Sequence, residues 1–227
     1  MTTVAVMQPY FVPYAGYFRL FAAADIVALF DCVQFPRRGW VHRNRLRDGA
    51  GEPQWLTLPL AKAPRESDIR AITFAPDAKA RFDAELGHFL PSRPNPAAAR
   101  LLEPIKRVSG QLVDYLEATL KAACNELALP FDTVRTSALD IDPGLRGADR
   151  VIAIARTLGA DTYLNPPGGR ALYDEAAFAK AGLRLRFLPC WKGSSLSILQ
   201  CLIDGDPAKI QAEIRRQLHD QAVSGTP

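Results

Sequence analysis

VAVMQPYFVPYAGYFRLFAAADIVALF, residues 4–30, decides the fold class. Residues 4–7 form an apolar run of strand length that stops at Gln8-Pro9. The stretch from about 13 to 24 is amphipathic, with Pro13 suited to a first helical turn. Residues 26–30 are a second apolar run, placed directly before Asp31. The order is strand, loop, helix, strand, and strands joined in this way run parallel and need helices on both faces. The same order returns near the other end, as a short strand at 162–164, the loop NPPGGRALY at 165–173, a helix at 174–181 and a strand at 183–188. The expected fold is α/β, a mostly parallel sheet in a Rossmann-like layered architecture.

Between these units the reading is less regular. Residues 35–53 are rich in arginine and glycine and read as a long loop, followed by strands at 54–60 and 69–74. Pro76 and Asp77 open a helix to about residue 90, and PSRPNP at 91–96 reads as a linker. From 97 to 126 the residues Leu101, Leu102, Ile105, Val108, Leu112, Leu116 and Leu120 recur at three and four, the pattern of one long amphipathic helix. A strand at 131–136 and a helix at 147–158 ending at Gly159 follow. Helices at about 195–203 and 207–220 close the chain, the second capped by Asp206. At 227 residues the whole reads as a single domain over 1–227, in which the mainly helical segment 76–126 is an insertion or a helical layer.

Composition excludes several classes. With 48% hydrophobic and 23% charged residues the chain is neither disordered nor coiled coil. No stretch reaches the roughly 18 apolar residues of a membrane span and the first residues lack a signal-peptide pattern, so a cytoplasmic address is expected. The net charge of +4 suits anionic ligands, but the basic residues are scattered and no specific nucleic-acid partner is indicated. Cys32, Cys124, Cys190 and Cys201 are far apart. His42, His88 and His219 have no His or Cys partner at ligand spacing, so no metal site is expected.

In sheets of this kind ligands bind beyond the carboxyl ends of the strands. The first such loop offers Gln8, Tyr10 and Tyr14 for binding, with prolines to stiffen the backbone, Gly16 for close approach and a helix start whose N–H groups suit an anion. The alternative is a rigid turn whose rings merely pack. After the second strand come Asp31 and the run RRGWVHRNR at 37–45. There Arg38, Arg43 and Arg45 can fork onto phosphate, Trp40 can stack on a ring, Asn44 can bond substrate, and His42 and Asp31 are the candidate acid–base residues. A solvated, ion-paired surface loop is the bland counterpart. The loop after residue 164 offers Asn165, Gly168, Arg170 and Tyr173 as a phosphate or sugar clamp, against a plain tight connection. Cys190 beside Trp191 and Lys192 reads as a buried structural thiol, with a reactive thiol of lowered pKa as the alternative, and Ser194, Ser195 and Ser197 as helix-start capping residues.

The blocks MQPYFVPYAGYFRL (7–20), DIVALFDCVQFPRRGWVHRNRL (25–46), LGADTYLNPPGGRALY (158–173) and LSIL (196–199) together resemble the WbqC-like family of bacterial O-antigen and surface-polysaccharide gene clusters. Cys32, His42 and Gln200 stand where that family more often has Asp, Asn and Asp. The resemblance implies a bacterial protein acting near modified sugars. Joined to loops suited to rings and phosphates, it points to an enzyme that forms an amide by acyl or aminoacyl transfer onto an amino sugar of a nucleotide- or lipid-linked precursor. The donor on this reading is a thioester of coenzyme A or of an acyl or peptidyl carrier protein; the sequence names no cofactor. Two alternatives stand beside it: a nucleotidylyl transferase in which Tyr14-Ala15-Gly16-Tyr17 replaces an HxGH loop, and a non-enzymatic sugar- or nucleotide-binding accessory protein.

Overall fold

In the computed structural model, which describes residues 1–218, the chain runs β1 (Thr3–Met7), a 3-10 turn (Ala15–Phe18) leading into α1 (Arg19–Ala23), and β2 (Ile26–Leu29). A hairpin follows, β3 (Arg43–Arg47) and β4 (Pro53–Thr57), and then α2 (Ala78–Gly87), α3 (Pro96–Ile105) and α4 (Leu112–Glu126). The chain returns through β5 (Thr133–Arg135), α5 (Gly147–Thr157), β6 (Thr162–Asn165), α6 (Glu175–Lys180), β7 (Arg184–Phe187), α7 (Ile198–Asp204) and α8 (Pro207–Arg216).

Five strands form one parallel sheet in the order β5-β2-β1-β6-β7, so the fold is the expected α/β layered one. β1 lies at the centre with Val4 opposite both Ile26 and Tyr163. It is apolar on both faces because both are covered: Val4 and Val6 join a core with α5 and α6, while Ala5 joins the larger core with α1, α3, α4 and α7. From β1 the chain steps to β2 on one side, and from β5 it crosses to β6 on the other. The crevice between β1 and β6 is where the strand order reverses.

Four expectations are corrected. The long helix at 97–126 is two helices, because the chain turns at Gly110, whose φ of +75° suits glycine, before Gln111 leads into α4. The 35–53 loop contains β3, paired antiparallel with β4 in a separate sheet. Residues 69–74 form a 3-10 turn (Ile69–Ala71) with single bridges Leu60 to Phe74 and Thr73 to Gln111, not a strand. The first helix is a 3-10 turn plus five residues of α1. The last helix is described to Arg216, and His219 lies outside the described residues. Among the described residues no helix is long and apolar enough to cross a membrane.

Candidate functional site

The first loop holds a conformation its residues do not favour. Val12 has φ of +36°, a strained value for a β-branched residue, at a cost on the order of 1–3 kcal/mol. Buried partners hold it there. The Asn44 amide donates to the carbonyls of Phe11 (3.1 Å) and Val12 (3.0 Å), the Ser197 hydroxyl donates to the Val12 carbonyl (2.9 Å), and the Ile198 N–H donates to the Pro13 carbonyl (2.8 Å). Ser197 also caps α7 by accepting from Leu199 N–H. The sequence blocks around residues 11, 44 and 197 therefore meet in space and fix one turn, which in turn carries Tyr10 and Tyr14.

That turn forms one wall of a cavity of about 360 Å³ at the carboxyl ends of β1 and β6. Met7, Tyr10, Tyr14 and Tyr17 line one side, Trp40 and Arg45 another, and Pro166 to Gly168 with Ser195 close the rim. Trp40 is held near by its carbonyl, which accepts from Phe11 N–H at 3.1 Å. The walls are mainly ring faces, and burial pushes the phenol pKa values of Tyr10 and Tyr14 up, so both remain O–H donors at neutral pH. Tyr17 is spent inside: its hydroxyl donates to the Gln8 carbonyl at 2.9 Å. Arg45 is the one charged residue of the lining. Its guanidinium donates to the Ser195 hydroxyl at 3.2 Å, and among the described residues no carboxylate lies within 4.0 Å of it. A half-buried cation with no carboxylate beside it favours an anion from outside.

Of the sequence candidates, the cavity gathers Tyr10, Tyr14, Trp40, Asn44, Arg45 and Gly168. Gly16 lines it but offers no open backbone, since a methyl there would lie 2.4 Å from the Tyr14 ring and 2.7 Å from that of Trp191. The others lie apart. Gln8 contributes its carbonyl to Tyr17, and Arg38 is exposed, its carbonyl accepting from Arg43. Asn165 is buried, accepts from Tyr163, and packs so tightly on Gly169 that a methyl there would meet its amide at 1.7 Å. Arg170 lies over the Phe187 ring at 4.9 Å, and Tyr173 packs edge-on against Tyr163 and Phe178.

The two acid–base candidates are placed away from the cavity. Asp31 is fully buried, and its carboxylate accepts from Thr136 Oγ1 (3.0 Å), Ser137 N–H (2.9 Å) and the Ser137 hydroxyl. It joins the carboxyl ends of β2 and β5. His42 borders a separate cavity with Phe35, Arg37, Thr57, Arg81 and Glu85, and its Nδ1 is buried with no partner among the described residues. Burial, assisted by the Arg43 charge, lowers its pKa to about 4, so the imidazole is neutral at pH 7. The unfolded chain binds this proton below about pH 6.5 while the folded one does not until about pH 4. Stability is therefore complete above 6.5 and falls as pH drops between these values. Urea unfolding at pH 7.5 and at pH 5 is expected to show a loss of about 1–2 kcal/mol, after discounting for partial exposure, that His42→Asn abolishes. An equal loss in the variant would assign the pH dependence elsewhere.

Sequence reasoning passed over Trp55 and Trp191. Trp191 covers Gly16 and Tyr14, and Trp55 stands 5.2 Å from Trp40. For Trp55 the signal was present, because alternation from Leu56 and Leu58 inward puts Trp55 outward on its strand.

Residues 8–193 match the WbqC-like protein family. The chain is also similar to an uncharacterised protein of Mycobacterium tuberculosis, 27% identical over 201 residues, which covers 82% of this chain and 81% of that protein. No solved structure matches the chain.

Proposed function

The chain belongs to the WbqC-like protein family, and on that premise we propose that the cavity between β1 and β6 binds an amino sugar carried on a phosphate and acylates its amine from a thioester. The observation that carries this reading is a ring-walled cavity at the strand-order reversal whose single charge, among the described residues, is a guanidinium with no carboxylate partner. Tyr10, Tyr14 and Trp40 supply flat apolar faces and hydroxyl donors for a sugar ring, and Arg45 pairs with the phosphate.

The reaction asks little acid–base help. The neutral amine nitrogen bonds to the thioester carbonyl carbon, the carbon–sulfur bond breaks, and the amine proton ends on the departing thiol. Among the described residues no carboxylate, imidazole or thiol lines the cavity, so on this reading the protein's part is to hold the two reactants together and exclude water. That same absence favours the accessory-protein reading as the second one, in which binding occurs without turnover. The nucleotidylyl reading draws on the strand order and on Tyr14-Ala15-Gly16-Tyr17 at the reversal. It is the weakest of the three, because Gly16 is covered by rings and the Tyr17 hydroxyl is already committed.

The test is calorimetric binding of UDP- and dTDP-linked amino sugars, followed by mass-spectrometric search for the amide with acyl-coenzyme A present. Arg45→Ala is expected to weaken binding by about 10- to 100-fold, the worth of a charge-assisted pair, while leaving thermal stability within a few degrees. Binding that is indifferent to Arg45 would remove the phosphate anchor; binding without amide would leave the accessory role.

A further inference from the structure

The hairpin β3–β4 separates its side chains by face. Asn44 and Leu46 point inward with Leu56, while Arg43, Arg45 and Trp55 stand on the outer face, Arg45 directly opposite Trp55 in the register. There they build a continuous arrangement with Trp40. The indoles of Trp40 and Trp55 lie 5.2 Å apart, tilted by 46°; the Arg43 guanidinium sits 4.2 Å over the Trp55 ring, and Arg45 stands 5.9 Å from Trp40 and 5.8 Å from Trp55. Trp40 and Trp55 are 38% and 39% exposed.

Two features call for an outside partner. Large apolar rings left this open beside a cavity mark recognition surfaces more often than packing. Among the described residues no carboxylate pairs with the Arg43 or Arg45 guanidinium, whose Nη2 atoms donate to neutral groups, the Arg38 carbonyl and the Ser195 hydroxyl. The rings of Tyr10, Tyr14 and Trp40 in the cavity continue outward directly into Trp55, with Arg45 flanking both indoles and Arg43 over one face of Trp55, so two cations without carboxylate partners among the described residues border the outer ring.

We infer that Trp55 and Arg43 form a second subsite that stacks a nucleobase, so that the ligand is a nucleoside diphosphate sugar with its sugar in the cavity and its diphosphate across Arg45 and Arg43. This rests on the sugar-binding reading above and chooses within it: a lipid-linked sugar has a diphosphate but no second ring. An aromatic platform is tolerant of the base it stacks, so the base identity is left to other contacts.

Three probes separate the parts by calorimetry: glucosamine 1-phosphate, UDP-glucosamine, and a short prenyl diphosphate carrying the same sugar. The nucleotide sugar is expected to bind about tenfold or more tighter than the sugar phosphate, and Trp55→Ala to erase about that tenfold, roughly 1.4 kcal/mol, without changing affinity for the sugar phosphate. Trp55→Phe should restore most of it. Thermal unfolding of each variant checks the fold. If Trp55→Ala leaves the preference intact, or if the prenyl compound binds as tightly as the nucleotide sugar, the second subsite is overturned while the cavity reading stands. If the wild-type protein binds none of the three, both fall together.

Discussion

Replacing Asp31 with alanine is expected to lower the unfolding free energy by about 3–5 kcal/mol, the usual cost of removing one side of a buried charged hydrogen-bond set. The carboxylate has no exposure and three donors converge on it, the Thr136 hydroxyl and both the N–H and hydroxyl of Ser137. Alanine takes this acceptor from both donors of the partly buried Ser137 and leaves the buried Thr136 hydroxyl only the weaker Cys32 sulfur. The damage extends outward, because Thr136 also meets the Cys32 sulfur at 3.1 Å and that sulfur accepts from Arg150 at 3.0 Å, a chain linking β2, the turn after β5 and α5. With the Thr136 hydroxyl committed to Asp31, Cys32 donates in its turn to Thr136. Asp31→Asn should cost less, since its carbonyl oxygen still accepts from Thr136 and Ser137 N–H while the Ser137 hydroxyl can rotate to accept from the amide. The measurement is the melting temperature, with Asp31→Ala falling by roughly 6–20 °C at about 2–4 °C per kcal/mol for a chain of this size. Wild-type stability in Asp31→Ala would sink the structural assignment. A folded Asp31→Asn protein that binds its sugar but no longer turns it over would return Asp31 to the chemistry.

The sequence position of Asp31 could not distinguish these roles. A carboxylate directly after a parallel strand is where catalytic acids stand, and it is also where a neighbouring strand's end can be tied down; only the location of Thr136, 105 residues later, separates them. The legible parts were local. The apolar runs at 4–7 and 26–30 and the proline-rich loop between them specify a parallel pair and its turn without long-range information, and the loop after residue 164 announces itself by its prolines and glycines. That these two loops face each other across one cavity follows from the β5 to β6 crossover, which no local pattern contains. β3 stayed hidden for a different reason. Its inward positions are Asn44 and Leu46, and a polar residue at a core position breaks the alternation that signals a strand. Asn44 is there because the strained Val12 turn needs its amide, so the residue that obscured the strand is the one that shapes the site.

Arg19 should be as costly to replace as Asp31, and the pattern of replacement identifies why. It is 1% exposed and has no carboxylate partner among the described residues; instead its Nε donates to the Gly16 carbonyl (3.1 Å) and Nη1 to those of Pro189 (2.9 Å) and Gln217 (3.0 Å). Burial pulls its pKa down, yet a guanidinium stays protonated, so the carbonyl dipoles together with the Trp191 ring, 5.3 Å away, must solvate the cation. One flat fork thus ties the 3-10 turn at the cavity wall, the segment after β7 and the end of α8. Arg19→Met removes the buried charge and so regains part of its desolvation, but takes the side-chain donor from the Pro189 and Gln217 carbonyls, while the Gly16 carbonyl keeps the backbone N–H of residue 19; the net expectation is a loss of about 3 kcal/mol, or roughly 6–12 °C in melting temperature. Arg19→Lys keeps the charge yet cannot present donors to Gly16 on one side and to Pro189 and Gln217 on the other, so it should do no better than methionine. Lysine restoring wild-type stability would mean that charge, not the fork, is what the site requires. Because the same fork steadies Trp191 against Tyr14 and Gly16, affinity for the sugar phosphate should fall in both variants even below their melting temperatures. Unchanged affinity in a destabilised Arg19→Met protein would separate this strut from the cavity and place the order of the Trp191 wall in the segment's own hydrogen bonds, Trp191 Nε1 to the Ser194 carbonyl and Lys192 N–H to Gln217 Oε1.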